Sequence, residues 1–400
     1  LLPITFIIIV VMSRPSYPAW FERRMREYMG RVDSFKPYPF DLPERHNEYV
    51  GLHLNDYLRL SARPEVIAAK YEALRISGNG NMASVIYGGA CRENNQLRAL
   101  IADVMKAGDV FLTVSGYTAN LGVIESIVDP GMPVYLDERA HASMWDGAKF
   151  SAGRPIAFRH NDPGSLAEEM ASFGPGLVCI DTYYSVHGDA APLRDIVEIV
   201  ETNDSVLLAD EAHSFAMVGD RGGGVCIQEG VSDRVHFRTA SFSKALGGHG
   251  GFVAAAKDVV WFLTHRSRSS VFSSAVLPDV SAGHLAALEI AIAERDRAKH
   301  CLAMAALLRE ELARRGIDAS PSTSQIVPIA FDVETDACRF FGNMRDRGVL
   351  VSIFVAPGVD EGTGVARLSC HADLTPAIVK RVADAASQSM GEIGIRRHAV

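Results

Sequence analysis

Short apolar runs recur through the middle of this chain, and segments with helical spacing separate them. Asp109 to Val114, Val134 to Asp137, Leu177 to Asp181 and Val206 to Asp210 read as buried strands. Gln96 to Lys106, the segment opening at Gly116, Ala140 to Phe150 and Leu193 to Thr202 read as helices. Strands without a polar face are buried on both sides, so the intervening helices must cover them. The pattern therefore predicts an α/β fold with a mostly parallel sheet flanked by helices. After Pro278 the rhythm changes. One long helix is expected from Val280 to Arg315, then strands at Ile326 to Asp332, Val349 to Val355 and Ala366 to Ser369, with a final helix from Thr375 to Met390. That half reads as a smaller α+β domain. The divisions drawn are an N-terminal arm at 12–60, a large domain at 61–285 and a small domain at 286–400. With 400 residues, 48% of them hydrophobic, the chain can bury two such cores.

The first eleven residues are apolar apart from Thr5, no basic residue precedes them, and Met12 follows. The run is shorter than the roughly 20 residues a membrane span needs, and it lacks the charged start and small-residue cleavage site of a signal peptide. It reads as a non-native extension before a start at Met12, with no membrane span. Tyr17 to Met29 mixes aromatics with arginines like a surface helix, and Lys36 to Pro43 reads as a Pro-rich turn. A net charge of −8 argues against a nucleic-acid partner. The six cysteines have no metal-ligand spacing and read as reduced thiols of a cytoplasmic protein, several of them in strands.

The polar clusters fall where the predicted strands end, which in such sheets is where ligands sit. Lys244 lies in Thr239 to Gly248, among small hydroxylated residues and before glycines. A nucleophilic lysine must be partly desolvated so that its amine can be neutral. Hydroxyls such as that of Ser241 can meet a phosphate, and the combination suggests a lysine in Schiff-base linkage with pyridoxal phosphate. A solvated loop lysine is the rival reading. Asp210 closes an apolar strand, with His213 three residues on. A carboxylate there could keep a pyridine nitrogen protonated, and that pairing would lower the acid's pKa. The same Asp210-Glu211-Ala212-His213 also occurs in helicases, but no Gly-Lys dipeptide, and so no phosphate loop, exists in the chain. Gly116 and Tyr117 open a helix whose free amides can bind phosphate or be ordinarily capped. His141 can stack on a ring or be structural. Ser185 can touch a ring oxygen or cap a turn. Arg367 can fork onto a carboxylate or form a structural ion pair. Gly78-x-Gly80-x-x-Ala83 imitates a dinucleotide fingerprint but follows a helical pattern, which discounts it.

Together these residues resemble the α-oxoamine synthases, fold-type-I pyridoxal-phosphate enzymes of the aminotransferase class I/II superfamily, over about residues 50 to 390. The likeness is most specific at Val206 to Gly224, Thr239 to Gly248 and Gly188 to Leu193. His141 to Ala148 and Gly174 to Asp181 are most similar to the CqsA-type autoinducer synthases of quorum sensing. The resemblance implies that Lys244 is the Schiff-base lysine, Asp210 the pyridinium partner, His213 the ring-oxygen ligand and His141 the stacking histidine, with Ser185 its companion. It implies that Gly116 and Tyr117 line the cofactor, with Ser241 near its phosphate. Ser273 and Ser274 would reach the phosphate of a neighbouring subunit in a homodimer, and Asn55 and Arg367 would handle the amino-acid substrate. The implied reaction is decarboxylative condensation of an amino acid with an acyl-CoA, giving an α-aminoketone that serves as an autoinducer precursor. The alternative is an 8-amino-7-oxononanoate synthase or glycine C-acetyltransferase with glycine as donor. The segment Gly78 to Cys91 departs from the family's usual Ser-Arg-containing pattern, which favours the autoinducer branch.

Overall fold

The computed structural model describes residues 17–33 and 48–394. The proposed start at Met12, the extension before it and the turn at Lys36 to Pro43 lie outside the described residues. Among the described residues eleven strands form two sheets. The larger has seven, β2 (Asp109–Thr113), β3 (Pro133–Asp137), β4 (Arg154–Phe158), β5 (Leu177–Asp181), β6 (Val206–Asp210), β7 (Phe237–Ser241) and β8 (Gly251–Ala255), in the order β2-β8-β7-β6-β5-β3-β4. All neighbours are parallel except those of β8, which runs against both β2 and β7. β5 is buried at all five residues and β6 at four, as strands covered on both faces must be. The expectation of several cysteines in strands is not met: only Cys179 lies in one. Cys226, Cys301 and Cys338 are buried in helices, Cys370 is buried just past a strand, Cys91 is half-buried, and all six thiols are free.

The smaller sheet has the order β1-β10-β11-β9, from β1 (Val50–Leu52), β9 (Ile326–Phe331), β10 (Val349–Phe354) and β11 (Gly364–Ser369). β1 comes from the segment read as an arm, yet it pairs in parallel with β10. Leu52, Tyr57, Leu58 and Leu60 are fully buried around it. This stitches residues 50–60 to the C-terminal sheet and brings Asn55 to the chemistry described below.

Three departures from the sequence reading have physical causes. β4 went unread because Arg154, Pro155 and Ala157 are exposed at the sheet edge, so no apolar run marks it. β8 begins inside a glycine cluster. A Cβ at Gly251 would lie 2.6 Å from the amide nitrogen of Gly116, so the strand can pass the start of the helix Gly116–Ile127 only without a side chain there. The long helix expected after Pro278 is two, Pro278–Ala293 and Arg295–Ala313, broken at Glu294. At the break Arg295 donates to the carbonyls of Ala216 (2.6 Å) and Met217 (2.8 Å), and Glu294 receives Arg63 (3.0 Å) and Arg297 (3.1 Å). Arg63, Ala216 and Met217 come from elsewhere in the chain, so the break sits where distant segments meet the two helices.

Candidate active site

The C-terminal ends of β2, β3, β5, β6 and β7 share one edge of the large sheet, and a cavity of about 390 Å³ opens there. Two of its walls carry aspartates. Asp181 and Asp210 end β5 and β6 and are register partners. Asp210 accepts the Asn120 amide at 2.7 Å and the backbone N–H of Ala212 at 2.8 Å. Burial raises its pKa above the ordinary carboxylate value, against the pull of His141, Asn120, Ala212 and Lys244. The lowered value expected from sequence presumed a cationic ring partner; among the chain's own groups desolvation is the larger effect. Asp181 is raised further by burial and by the neighbouring Asp210, although it accepts the backbone N–H of His141 at 2.8 Å.

His141 caps the helix Ala142–Phe150, its Nδ1 accepting from the Ser143 amide and facing the Ser143 hydroxyl at 2.8 Å. Asn120 connects this cap to the sheet: it donates to Ser143 Oγ (2.9 Å) and to Asp210, and receives Thr239 Oγ1 (2.6 Å). One buried amide thus orients both the carboxylate and the histidine cap.

Lys244 follows β7 on a loop closed by Gly247 N–H to Lys244 C=O (3.0 Å) and Gly248 N–H to Phe242 C=O (3.0 Å). His284 stacks on Phe242 at 4.3 Å and reaches the His249 carbonyl at 2.9 Å. It fills the space beside Gly248, where a Cβ would lie 2.0 Å from the imidazole. Burial lowers the Lys244 pKa from 10.5 to about 8, helped by the Arg367 charge and opposed by Asp210. Its place on the cavity wall and its lowered pKa both count against the solvated-loop reading.

Gly116 and Tyr117 start a helix capped by Ser115, whose hydroxyl accepts from Thr118 N–H at 3.1 Å. Gly116 packs so tightly on Ser241 that a Cβ would come within 2.8 Å of the serine Cβ. Ser241 Oγ lies 2.8 Å from Ser243 Oγ. Tyr117 donates to Asp146 at 2.6 Å.

The opposite wall comes from the small sheet. Arg367 on β11, 6% exposed, donates to the Ser185 carbonyl (2.8 Å) and to Asn55 Oδ1 (3.1 Å), and its guanidinium lies 4.7 Å from the Phe354 ring centre. Its buried Nε has no partner among the described residues. His213 lines the cavity beside Lys244, and its Nδ1 is 2.7 Å from Tyr57 OH. Burial holds its pKa well below the ordinary value, followed by the charges of Lys244 and Arg367.

Ten of the twelve residues singled out from sequence thus line one cavity. Ser273 and Ser274 do not; they lie apart, before the helix Pro278–Ala293. Sequence reading missed Asp181, Asn120, Tyr57, Ser243 and Phe354. Asp181 was legible, because it closes a five-residue apolar strand as Asp210 does.

This arrangement is the fold-type-I pyridoxal-phosphate transferase fold. The chain belongs to the aminotransferase class I and II family, whose model matches residues 47–385. It is 35% identical to the 8-amino-7-oxononanoate synthase of Anaeromyxobacter sp. (strain K), over 81% of this chain and 82% of that protein. It is 31% identical to the serine palmitoyltransferase of Sphingobacterium spiritivorum, over 80% and 81%. A serine palmitoyltransferase from S. paucimobilis, solved with PLP and myriocin bound, superimposes with a TM-score of 0.89 at 25% identity, covering 96% of this chain and 100% of that one. Its relatives are α-oxoamine synthases. Among the described residues no helix is long and apolar enough to cross a membrane.

Proposed function

We propose that this chain condenses a small α-amino acid with an acyl-CoA, releasing CO₂ and CoA and leaving an α-aminoketone. The Cα–carboxylate bond and the thioester C–S bond break, and a carbon–carbon bond forms between the two substrates. The observation that carries this reading is the partly neutral Lys244 amine sharing one cavity with buried Asp210 and with an Arg367 whose fork opens beside Asn55.

The residues fit pyridoxal phosphate. Asp210 is a buried carboxylate that would meet a ring nitrogen, His141 and His213 line the same cavity, and Ser241, Ser243 and the helix start at Gly116 would offer donors to a phosphate. When bound, the cofactor supplies an electron sink for the α-carbon. Lys244 supplies the amine that holds it and moves a proton at that carbon. Arg367 and Asn55, which line the cavity together, would grip the substrate carboxylate. A second cleft of about 680 Å³ shares His141, Ser185 and Phe354 with the first. It joins apolar Phe331, Val359 and Val365, a lining suited to an acyl chain, with both cations (Arg139, Lys149) and carboxylates (Glu138, Asp146, Asp332, Asp360).

The relatives favour the 8-amino-7-oxononanoate alternative over the autoinducer branch. In that product the amine and terminal methyl sit on the carbons that decarboxylated alanine leaves, so alanine replaces the glycine expected from sequence for this branch. The autoinducer reading rests on His141 to Ala148 and Gly174 to Asp181. Homodimeric assembly, with Ser273 and Ser274 serving a partner's site, is part of the proposal.

The test is thiol release by protein supplied with pyridoxal phosphate. Alanine, glycine, serine and 2-aminobutyrate are crossed with acyl-CoAs of several lengths, including an ω-carboxylated one. Release with alanine and the ω-carboxyacyl thioester, abolished in Lys244→Ala, is expected. Release confined to 2-aminobutyrate and medium chains would move the protein to the autoinducer branch, and no release with any pair would overturn the proposal.

A further inference from the structure

Tyr57 is fully buried, lies 156 residues from His213 in sequence, and has one hydroxyl proton for two acceptors. His213 Nδ1 is 2.7 Å away and Asn55 Oδ1 is 3.2 Å away. Asn55 Oδ1 already receives a charged donor, Arg367 Nη2, at 3.1 Å. The shorter, fully buried contact therefore takes the proton, and a nitrogen that accepts at Nδ1 must carry its own hydrogen on Nε2. Nε2 has no bond to any described residue of the chain, and His213 lines the cavity.

We propose that Tyr57 is a positioning residue that fixes His213 as the Nε2–H tautomer, and that Arg367 maintains this choice by occupying Asn55. If Arg367 leaves Asn55, the amide oxygen becomes the unsatisfied acceptor. The Tyr57 proton then turns to it, and His213 carries its hydrogen on Nδ1 as donor to the tyrosine oxygen. The chain Arg367–Asn55–Tyr57–His213 thus links the group that grips a carboxylate to the group that meets the ring. What the tautomer does for catalysis rests on the proposed function, in which Nε2–H would be the donor that His213 offers to a bound cofactor; the tautomer itself does not.

The experiment is a two-bond ¹H–¹⁵N correlation spectrum of full-length, ¹⁵N-histidine-labelled protein, with and without pyridoxal phosphate, the His213 signals assigned by their loss in His213→Asn. Wild type is expected to favour Nε2–H by about tenfold, the bias a single buried hydrogen bond supports. Tyr57→Phe should populate both tautomers. Arg367→Met should raise Nδ1–H, and adding Asn55→Ala to Arg367→Met should return His213 to Nε2–H, because the competing acceptor is gone. A wild type that favours Nδ1–H, a Tyr57→Phe spectrum like wild type, or a double variant that stays with Arg367→Met would overturn the inference. Failure to take up pyridoxal phosphate, read from its absorbance, would instead sink the proposed function while the tautomer populations still decide the role of Tyr57.

Discussion

Lys244 shows how one residue trades stability for chemistry. Its amine is pushed from 10.5 down to about 8, so at pH 7 roughly a tenth of the molecules hold it neutral. Below pH 8 both folded and unfolded chains keep the proton, and the folded state bears the full cost of a buried charge. Between pH 8 and 10.5 the folded chain has released it while the unfolded chain has not, so stability rises with pH. The span corresponds to about 3 kcal/mol. Lys244→Met should therefore be more stable than wild type at pH 7, with the gap closing by about that amount at pH 10.5. Urea denaturation of cofactor-stripped protein at the two pH values measures it, and a gap that does not change with pH would show the amine to be hydrated. Around Lys244 the chain spends buried polar groups in the same way, with Asp181 and Asp210 both raised by burial.

At the scale of elements, side chains reaching from one segment to another set the geometry that strands only approximate. His160, just past β4, bonds Asp137 at the end of β3 (2.8 Å) and Asp189 beyond β5 (2.6 Å). Burial alone would lower its pKa, but the two carboxylates outweigh it and raise the value from 6.5 to about 9. A raised histidine stabilises fully below pH 6.5, and that contribution, about 3 kcal/mol, is lost as pH rises through 9. His160→Gln should lose about 3 kcal/mol at pH 6 and much less at pH 9.5, read by denaturant melts at both. The Lys244 loop has its own tie. Gly248→Ala would push a methyl into the His284 ring, costing about 1–3 kcal/mol of overpacking. His284→Ala in the same chain should recover part of it, a coupling that a double-mutant cycle of melting temperatures detects. Such ties explain what was legible in the sequence. β5, β6 and the helix Leu193–Thr202 match the reading residue for residue, because an apolar run closed by an aspartate and an amphipathic helix declare themselves locally. β4, β8 and the break at Glu294 do not: exposed residues interrupt the apolar run of β4, and partners far along the chain decide the other two. The site divides in the same way. Lys244, Asp210 and His213 sit in short recognisable stretches, whereas Tyr57 and Asn120 meet the site through partners far along the chain, His213 at 156 residues and Asp210 at 90.

At the scale of the molecule, the cavity lies between two sheets, with Lys244 and Asp210 from one and Arg367 from the other. Residues 50–60 tie into the smaller sheet through β1, so Asn55 and Arg367 share one scaffold and approach Lys244 together. Ser273 and Ser274 stand outside this arrangement, and under the proposed homodimer they complete a partner's site. Subunit mixing tests this. Lys244→Ala protein lacks the amine in every site, and Ser273→Ala/Ser274→Ala protein lacks the two hydroxyls in every site. If the serines act across the interface, a mixed dimer holds one site damaged in both respects and one with wild-type Lys244 and wild-type serines. Unfolding and refolding the two variants together should then regenerate sites with wild-type affinity for pyridoxal phosphate in about half of the mixed dimers' positions, although neither parent has any. If the serines act within their own chain, every site in the mixture keeps one defect. Fluorescence titration of the mixture against each parent would then give no wild-type component, and the shared site would be ruled out.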